Sequence, residues 1–208
     1  MKIGIIGAGF VGRAVGKLAV KAGHEVMLSN SRGPQTLFST GFDVGARVGT
    51  VDDAIAFGDV IVVAIPLSAY ASLPAQPLAG KIVLDANNYY FERDGHIDAL
   101  DRHETTTSQL LATHLPSSRI VKAFNAVRMV DLEADGRPAG AADRKALPLA
   151  GDDAEGKAIA ARLYDAFGFD AVDVGPLAEG WRFEREMPAY CARLGKADLE
   201  RALAVATR

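Results

Sequence analysis

Three glycines near the start of the chain have the spacing of a phosphate-binding loop. They lie in the run Gly7-Ala8-Gly9-Phe10-Val11-Gly12, which follows an apolar stretch and leads into a helical pattern. In a strand–turn–helix unit, the first glycine allows a tight turn, the second lets a pyrophosphate approach and the third lets the helix pack on the strand. Free N–H groups at the helix start attract the phosphates. The run predicts a dinucleotide-binding loop, the alternative being a strand–turn–helix with incidental glycines.

The turn after the second predicted strand indicates which dinucleotide binds. NAD-binding chains place an Asp or Glu about 20 residues beyond the glycines, where it binds the ribose 2′-hydroxyl. Here the positions hold Ser29, Asn30, Ser31 and Arg32. With no carboxylate present, two hydroxyls, an amide and a guanidinium favour the 2′-phosphate of NADP(H). The alternative is a polar turn whose Ser and Asn side chains bind their own backbone.

Three further candidates, Pro66, Asn87 and Asn125, each fall at or just after the end of a predicted strand. Ligands of open α/β sheets bind beyond the carboxyl ends of the strands. An amide at that edge can hold the carboxamide of nicotinamide or a flat hydride acceptor. A turn or capping role is the alternative for each Asn, and a strand-terminating role is the alternative for Pro66.

The usual sets of catalytic residues are missing from the sequence, and we assign no catalytic residue. There is no G-x-S-x-G elbow, P-loop or H-E-x-x-H motif, and His103-Glu104 lacks the further ligands that a metal site needs. Lys122 is a candidate general acid, although a packed or snorkelling lysine is more common. Carbonyl reduction needs a proton donor, whereas hydride exchange with a flavin-like ring needs mainly alignment. The pattern mildly favours the second reaction, with four tyrosines left open as donors: Tyr70, Tyr89, Tyr90 and Tyr190.

Short apolar runs alternate with helical stretches along most of the chain, which is typical of a parallel sheet covered on both faces. We predict strands at 2–6, 25–28, 46–49, 60–65, 82–85, 119–124, 146–150 and 171–174. Helices are predicted at 9–22, from Pro34, at 51–57, at 108–114, after an Asp152/Glu155 capping box as far as Phe167, and from about Ala197. The pattern predicts an α/β, Rossmann-type, doubly wound, mostly parallel sheet at residues 1–176. A short helical tail follows at 177–208.

Composition excludes several classes of protein. The chain has 208 residues, of which 49% are hydrophobic, and a net charge of −3. A slightly acidic chain without a long Lys/Arg run argues against a nucleic-acid partner. No apolar run approaches the roughly 20 residues that cross a bilayer, so no membrane partner is expected. The single cysteine, Cys191, fits a reducing compartment, and we predict a cytoplasmic protein.

Taken together, these segments resemble a known family. The glycine loop and the Ser29–Arg32 turn occur, with three later segments, in the same order in the coenzyme F420-dependent NADP oxidoreductases. The later segments are Ala64-Ile65-Pro66, Asp85-Ala86-Asn87-Asn88 and Val121-Lys122-Ala123-Phe124-Asn125. The resemblance implies NADP(H) as cofactor, coenzyme F420 or FMN as second substrate, and positions near the nicotinamide for Ile65, Pro66, Asn87 and Asn125. The cytosolic reductase domains of membrane metalloreductases look similar too.

Two functions remain open at this point. The first is an oxidoreductase that moves a hydride between NADPH and a flavin-like or deazaflavin acceptor, with a small carbonyl or metal chelate as another possible acceptor. The second is a non-catalytic, NADPH-binding module that senses redox state. The tail carries Trp181, Phe183 and Tyr190, which are candidates for walling an acceptor pocket, for packing on the chain's own domain or for contacting a second subunit. We predict a homodimer, because a tail this short needs help to roof an active site.

Overall fold

Eight β-strands form the central sheet of the computed structural model, which describes residues 1–208. The strands are β1 (Lys2–Ile6), β2 (Glu25–Ser29), β3 (Arg47–Val48), β4 (Val60–Val63), β5 (Ile82–Asp85), β6 (Arg119–Lys122), β7 (Ala146–Gly151) and β8 (Asp170–Asp173). Their order is β3-β2-β1-β4-β5-β6-β7-β8. All neighbours are parallel except β6 and β7. The predicted doubly wound fold is confirmed, and the order of the strands reverses between β1 and β4.

The chain forms ten α-helices, and the longer ones pack on the two faces of the sheet. The ten helices are α1 (Phe10–Lys21), α2 (Phe38–Val44), α3 (Val51–Phe57), α4 (Ala75–Leu78), α5 (Phe91–Asp94), α6 (Asp98–Asp101), α7 (Thr107–His114), α8 (Met129–Ala134), α9 (Ala154–Ala166) and α10 (Lys196–Ala204). Alternate residues of a strand point to opposite faces. Val60 and Val62 of β4 therefore join a buried cluster of 27 residues, whereas Ile61 and Val63 join one of 11 residues on the other face. Because both faces are buried, the strand is apolar throughout.

Several predicted boundaries are wrong for local reasons. Pro34 begins a 3-10 turn (Pro34–Thr36), and the helix itself starts only at Phe38. The predicted Asp152/Glu155 capping box is absent, because the N-cap of α9 is Asp153, whose carboxylate accepts the Gly156 N–H at 2.6 Å. Four short helices, α4, α5, α6 and α8, are not predicted by the sequence pattern.

The reversed strand β7 extends beyond the edge of the parallel sheet. Its last residues, Ala150 and Gly151, pair with Lys122 and Val121 at the end of β6. Ala146, at the start of β7, and Ala126, which follows β6, belong to one buried cluster. The first four residues of β7 pair with β8 instead of β6.

The tail, residues 177–208, packs against β7 and β8. It consists of a 3-10 segment (Leu177–Phe183), an irregular stretch and α10. Leu199 and Leu203 are buried, as their helical spacing predicts, in the cluster that contains Ala146 and Val172. No helix of the chain has the length and apolar character needed to cross a membrane.

Candidate functional site

The glycine loop has the geometry that its spacing predicts. Gly7 has a φ of +107°, and a Cβ there would collide with the Ala64 carbonyl. A Cβ on Gly12 would collide with the Gly7 carbonyl, so the third glycine lets α1 approach the turn. Gly9 is the N-cap of α1, and no protein atom lies within 4 Å of the Cβ position there. The loop therefore presents open space directly in front of the helix N-terminus.

The other residues of the loop border that open space. The N–H groups of Phe10, Val11 and Gly12 have no hydrogen-bond partner within the chain, as expected for a first helical turn. Ala8 is partly exposed, and the Phe10 ring is 65% exposed. An anion placed before α1 would meet several free donors and the positive end of the helix dipole.

The turn after β2 divides into a structural half and an exposed half. Ser29 is fully buried, and its hydroxyl donates to the Ile5 carbonyl at 2.9 Å. The Asn30 side chain accepts the Arg32 N–H at 3.0 Å and donates to the Thr36 hydroxyl at 3.0 Å. Because the Ser29 side chain is buried, the expectation that it contacts a phosphate is corrected. The Asn30 side chain hydrogen-bonds within the turn, as the alternative of a polar turn bound to its own backbone predicts. Two side chains are left facing solvent.

Those two side chains are Ser31 and Arg32, both exposed. The Arg32 backbone is held at both ends, since its carbonyl also accepts Gln35 Nε2 at 2.9 Å. Its guanidinium makes no ion pair or hydrogen bond within the chain. A free cation on a fixed backbone at this edge is suited to a phosphate.

Asn87 lies directly beyond β5 with one polar atom unused. Its side chain is buried, and Oδ1 accepts the Ile65 N–H at 2.9 Å. That contact fixes the orientation of the amide, because only the oxygen can accept. Nδ2 is buried without a partner. Pro66 follows Ile65 at the same edge and is exposed.

Asn125 lies beyond β6, and its side chain has an unpaired acceptor where Asn87 has an unpaired donor. Its Nδ2 donates to the Phe183 carbonyl at 3.0 Å and to Asn88 Oδ1 at 3.2 Å. Its Oδ1 is buried and has no partner. Asn88 also donates to the Asn125 carbonyl at 2.9 Å, which joins the two strand ends. The carboxyl edge of the sheet thus holds one unsatisfied donor and one unsatisfied acceptor.

A strained residue helps to place Asn125. Phe124 has a φ of +65°, a conformation that costs a non-glycine residue about 1–3 kcal/mol. The Tyr164 hydroxyl accepts the Phe124 N–H at 2.8 Å and donates to the Pro148 carbonyl at 3.0 Å. The two rings also pack edge to face, with centroids 4.8 Å apart. These contacts hold the bend that ends β6 and turns Asn125 toward the edge.

A buried polar cluster lies beneath the two amides. Lys122 is fully buried, and its Nζ donates to Thr107 Oγ1 at 2.6 Å and lies 3.2 Å from Glu184 Oε1. Ser108 donates to Asp85 Oδ2 at 2.6 Å. Of the two alternatives to a general acid, Lys122 is the packed lysine and not the snorkelling one, because its ammonium ends inside the protein.

Burial and charge act in opposite directions on the two acids of this cluster. Burial raises the pKa of Asp85 even though Lys122 is nearby. For Glu184, burial acts to raise the pKa, but the Lys122 charge and hydrogen bonds from Thr107 outweigh it, so the pKa is lowered. Glu184 therefore stays ionised as the counter-charge of Lys122. Neither acid is among the predicted site residues, although the charge of Asp85 at the end of an apolar strand is a signal visible in the sequence.

The tail and the loop after β5 meet through aromatic and ionic contacts. The hydroxyls of Tyr90 and Tyr190 form a hydrogen bond with each other. Arg185 forms a bidentate pair with Glu92 at 2.6 and 2.8 Å, and its guanidinium lies over the Tyr90 ring. Next to these contacts is a cavity of about 250 Å³ whose walls include Tyr89, Phe91, Leu100, Trp181, Glu184 and Met187.

Of the three aromatic candidates in the tail, Trp181 lines this cavity. Phe183 is fully buried in the core beside Ala126, and Tyr190 packs at the margin of the same cluster. His103 and Glu104 do not form a metal site, and no group of three or more His, Cys, Asp or Glu side chains converges on one point.

Comparison with known proteins places the chain among NADP-dependent oxidoreductases by similarity. Residues 2–89 match the family described as NADP oxidoreductase, coenzyme F420-dependent. Over 195 residues the chain is 32% identical to metalloreductase STEAP3 of Rattus norvegicus, which covers 93% of this chain. The chain spans 37% of the length of that relative. These matches confirm the predicted family resemblance.

Solved structures agree on the architecture. A hypothetical protein from Sinorhizobium meliloti superposes with a TM-score of 0.81 at 28% identity, covering 94% of this chain and 95% of its own. A protein from Arthrobacter sp. FB24, assigned as an F420-dependent NADP reductase, superposes with a TM-score of 0.70 at 24% identity, with 85% of each chain covered. The second likeness supports the fold alone.

Proposed function

We propose that this chain, whose residues 2–89 match the coenzyme F420-dependent NADP oxidoreductase family, transfers a hydride between NADPH and a flavin-like or deazaflavin acceptor. NADPH, when bound, supplies the hydride from its nicotinamide ring. The contribution of the protein is to bind, to orient and to shield the two rings.

The adenine half of the cofactor has a natural place along the first two strands. The free N–H groups of Phe10, Val11 and Gly12 suit the pyrophosphate. Ser31 and Arg32 suit the 2′-phosphate, because their side chains are exposed and no carboxylate stands in the turn. In this proposal Ser29 and Asn30 shape the turn through their own hydrogen bonds.

The observation that carries the proposal is the pair of unsatisfied amide atoms. A nicotinamide carboxamide presents one carbonyl oxygen and one NH₂ group. Asn87 Nδ2 is a free donor for that oxygen, and Asn125 Oδ1 is a free acceptor for that NH₂. Buried polar atoms without partners are costly and uncommon. A ligand that satisfies both atoms is therefore favoured at this edge, beside Ile65 and Pro66.

The acceptor is proposed to bind on the side of the tail. The cavity beside Tyr89, Phe91 and Trp181 is about 250 Å³. That volume is below the roughly 300–1,000 Å³ of pockets that enclose a whole drug-sized ligand, so it suits the flat head group of a larger molecule. Aromatic walls favour a planar ring by stacking.

The experiment is NADPH oxidation, followed by loss of the reduced-nicotinamide absorbance, with the deazaflavin, FMN, a ferric chelate and a small ketone as separate acceptors. Turnover with the deazaflavin or FMN supports the proposal. NADH in place of NADPH is the matched control, and we expect it to be much the poorer donor.

The second candidate function is the redox-sensing module, and it makes the opposite prediction. Tight NADPH binding without turnover, across all four acceptors, would contradict the oxidoreductase proposal and support the sensor. Turnover with the ketone alone would point instead to carbonyl reduction, for which Tyr90 and Tyr190 are candidate proton donors.

A further inference from the structure

The buried lysine beneath the site is more elaborate than packing requires. Lys122 Nζ has four oxygen atoms within 3.3 Å: Thr107 Oγ1, Glu184 Oε1, Ser108 Oγ and the Asn87 carbonyl. An ammonium in a protein interior is expensive unless its donors are all used. A methionine would fill the same space without that cost. The charge of Lys122 is therefore suited to holding a neighbouring residue in position.

The residue that it fixes is Asn87. The Asn87 carbonyl accepts from Lys122 Nζ at 3.3 Å, and its N–H donates to Asp85 Oδ1 at 3.0 Å. Its side-chain Oδ1 accepts from the Ile65 N–H at 2.9 Å. Three of the four polar groups of Asn87 are hydrogen-bonded. These contacts fix the direction in which the fourth group, Nδ2, points.

The tail supplies the counter-charge. Glu184 Oε1 accepts from the Thr107 N–H at 3.0 Å and from the Thr107 hydroxyl at 2.7 Å, in addition to facing Lys122. At Gly180, a Cβ would come within 2.7 Å of Lys122 Cδ, so the tail backbone lies directly on the lysine stem. The residue before Glu184 is Phe183, and its backbone carbonyl accepts a hydrogen bond from Asn125 Nδ2.

Two consecutive tail residues thus reach both amides of the site. Phe183 holds Asn125 directly through its carbonyl, and Glu184 holds Asn87 indirectly through Lys122. We propose that the tail segment 180–184 is a positioning element for the nicotinamide, with Lys122 and Glu184 as positioning residues that aim Asn87 Nδ2 at the carboxamide. The inference rests on the proposed function, since it assumes that the carboxamide binds between Asn87 and Asn125.

The test compares two ligands that differ in the nicotinamide half: NADP⁺ and 2′,5′-ADP, which has no nicotinamide. Lys122→Met keeps an unbranched side chain, one atom shorter, and removes its charge. We expect it to weaken NADP⁺ binding about tenfold, the equivalent of one net hydrogen bond, while 2′,5′-ADP binds as before. Calorimetric titration of both ligands gives the two affinities.

Two further variants keep the experiment decisive. Lys157→Met is the matched control, because Lys157 pairs with Asp173 at the surface at 2.9 Å, and neither affinity is expected to change. Glu184→Gln retains an oxygen for Thr107 while removing the counter-charge, and serves if Lys122→Met does not fold. We expect it to reproduce the selective loss of NADP⁺ affinity.

Equal weakening of NADP⁺ and 2′,5′-ADP, or no change in either, would overturn the inference. That result would leave the proposed function intact, because turnover of the unmodified protein with the acceptors is a separate measurement. Wild-type protein that binds NADP⁺ no more tightly than 2′,5′-ADP would overturn the assigned carboxamide contact and the inference together.

Discussion

Replacing Arg32 by alanine tests the assignment of the 2′-phosphate site. The guanidinium is exposed and has no partner in the chain, so the change removes no structural contact. The turn itself is held by backbone contacts to Asn30 and Gln35, which the substitution leaves in place. A hydrogen bond to a charged group contributes about 1.5–3 kcal/mol, and solvent exposure places this one at the lower end. We expect NADPH affinity to fall roughly tenfold, and at most about 100-fold.

The assay is a titration of NADPH and of NADH with each protein, followed by reduced-nicotinamide fluorescence. NADH lacks the 2′-phosphate, so its affinity is expected to change less than about twofold, which is near the limit of such a comparison. Arg47→Ala is the matched control, because Arg47 already pairs with Glu25 at 3.2 Å and packs on the Phe57 ring. An unchanged ratio of NADPH to NADH affinity in Arg32→Ala would refute the assignment.

Two further predictions concern stability. Tyr164→Phe leaves the buried Phe124 N–H without its acceptor, so the free energy of unfolding should fall by about 1–3 kcal/mol. In a chain of this size that corresponds to a decrease in Tm of roughly 2–12 °C. A thermal scan unchanged within error would contradict the account of the β6 bend. The hydrogen bonds from Arg185 lower the pKa of Glu92 from 4.5 to about 2. A pKa depressed by folding means that the contact stabilises fully above pH 4.5 and is lost as pH falls toward 2. Fluorescence of Trp181, the only tryptophan, should report this loss, and Arg185→Gln should move the transition upward toward pH 4.5; a transition that does not move would argue against the pair.

The sheet was predictable because its strands are buried on both faces and are therefore apolar runs. The ends of the strands were less predictable. The apolar run that contains β4 continues to Ile65, but the strand stops at Val63 because the Ile65 N–H bonds to the Asn87 side chain instead. The run at β6 continues to Phe124, whose positive φ ends the extended conformation. In both cases a long-range contact, invisible to periodicity, sets the boundary.

The site divides in the same way. The glycine loop is local, so spacing alone predicted its geometry. Two adjacent acids, Asp152 and Asp153, left the cap of α9 ambiguous, and the structure gives Asp152 a different task, accepting the Leu177 N–H at 3.0 Å. Glu184 could not be associated with Lys122, because 62 residues separate them in the sequence and nothing in either segment specifies the pairing.

That separation has a consequence for how the protein is made. Synthesis at about 5–20 residues per second means that Glu184 is added roughly 3–12 s after Lys122. During that interval the nascent chain has the first six strands but not the acid that neutralises the lysine destined for their interior. The sheet cannot close over Lys122 at low cost until the tail arrives. We therefore expect ribosome-bound chains that stop before the tail to hold the region around β6 open to proteases, and chains that extend through it to become protected.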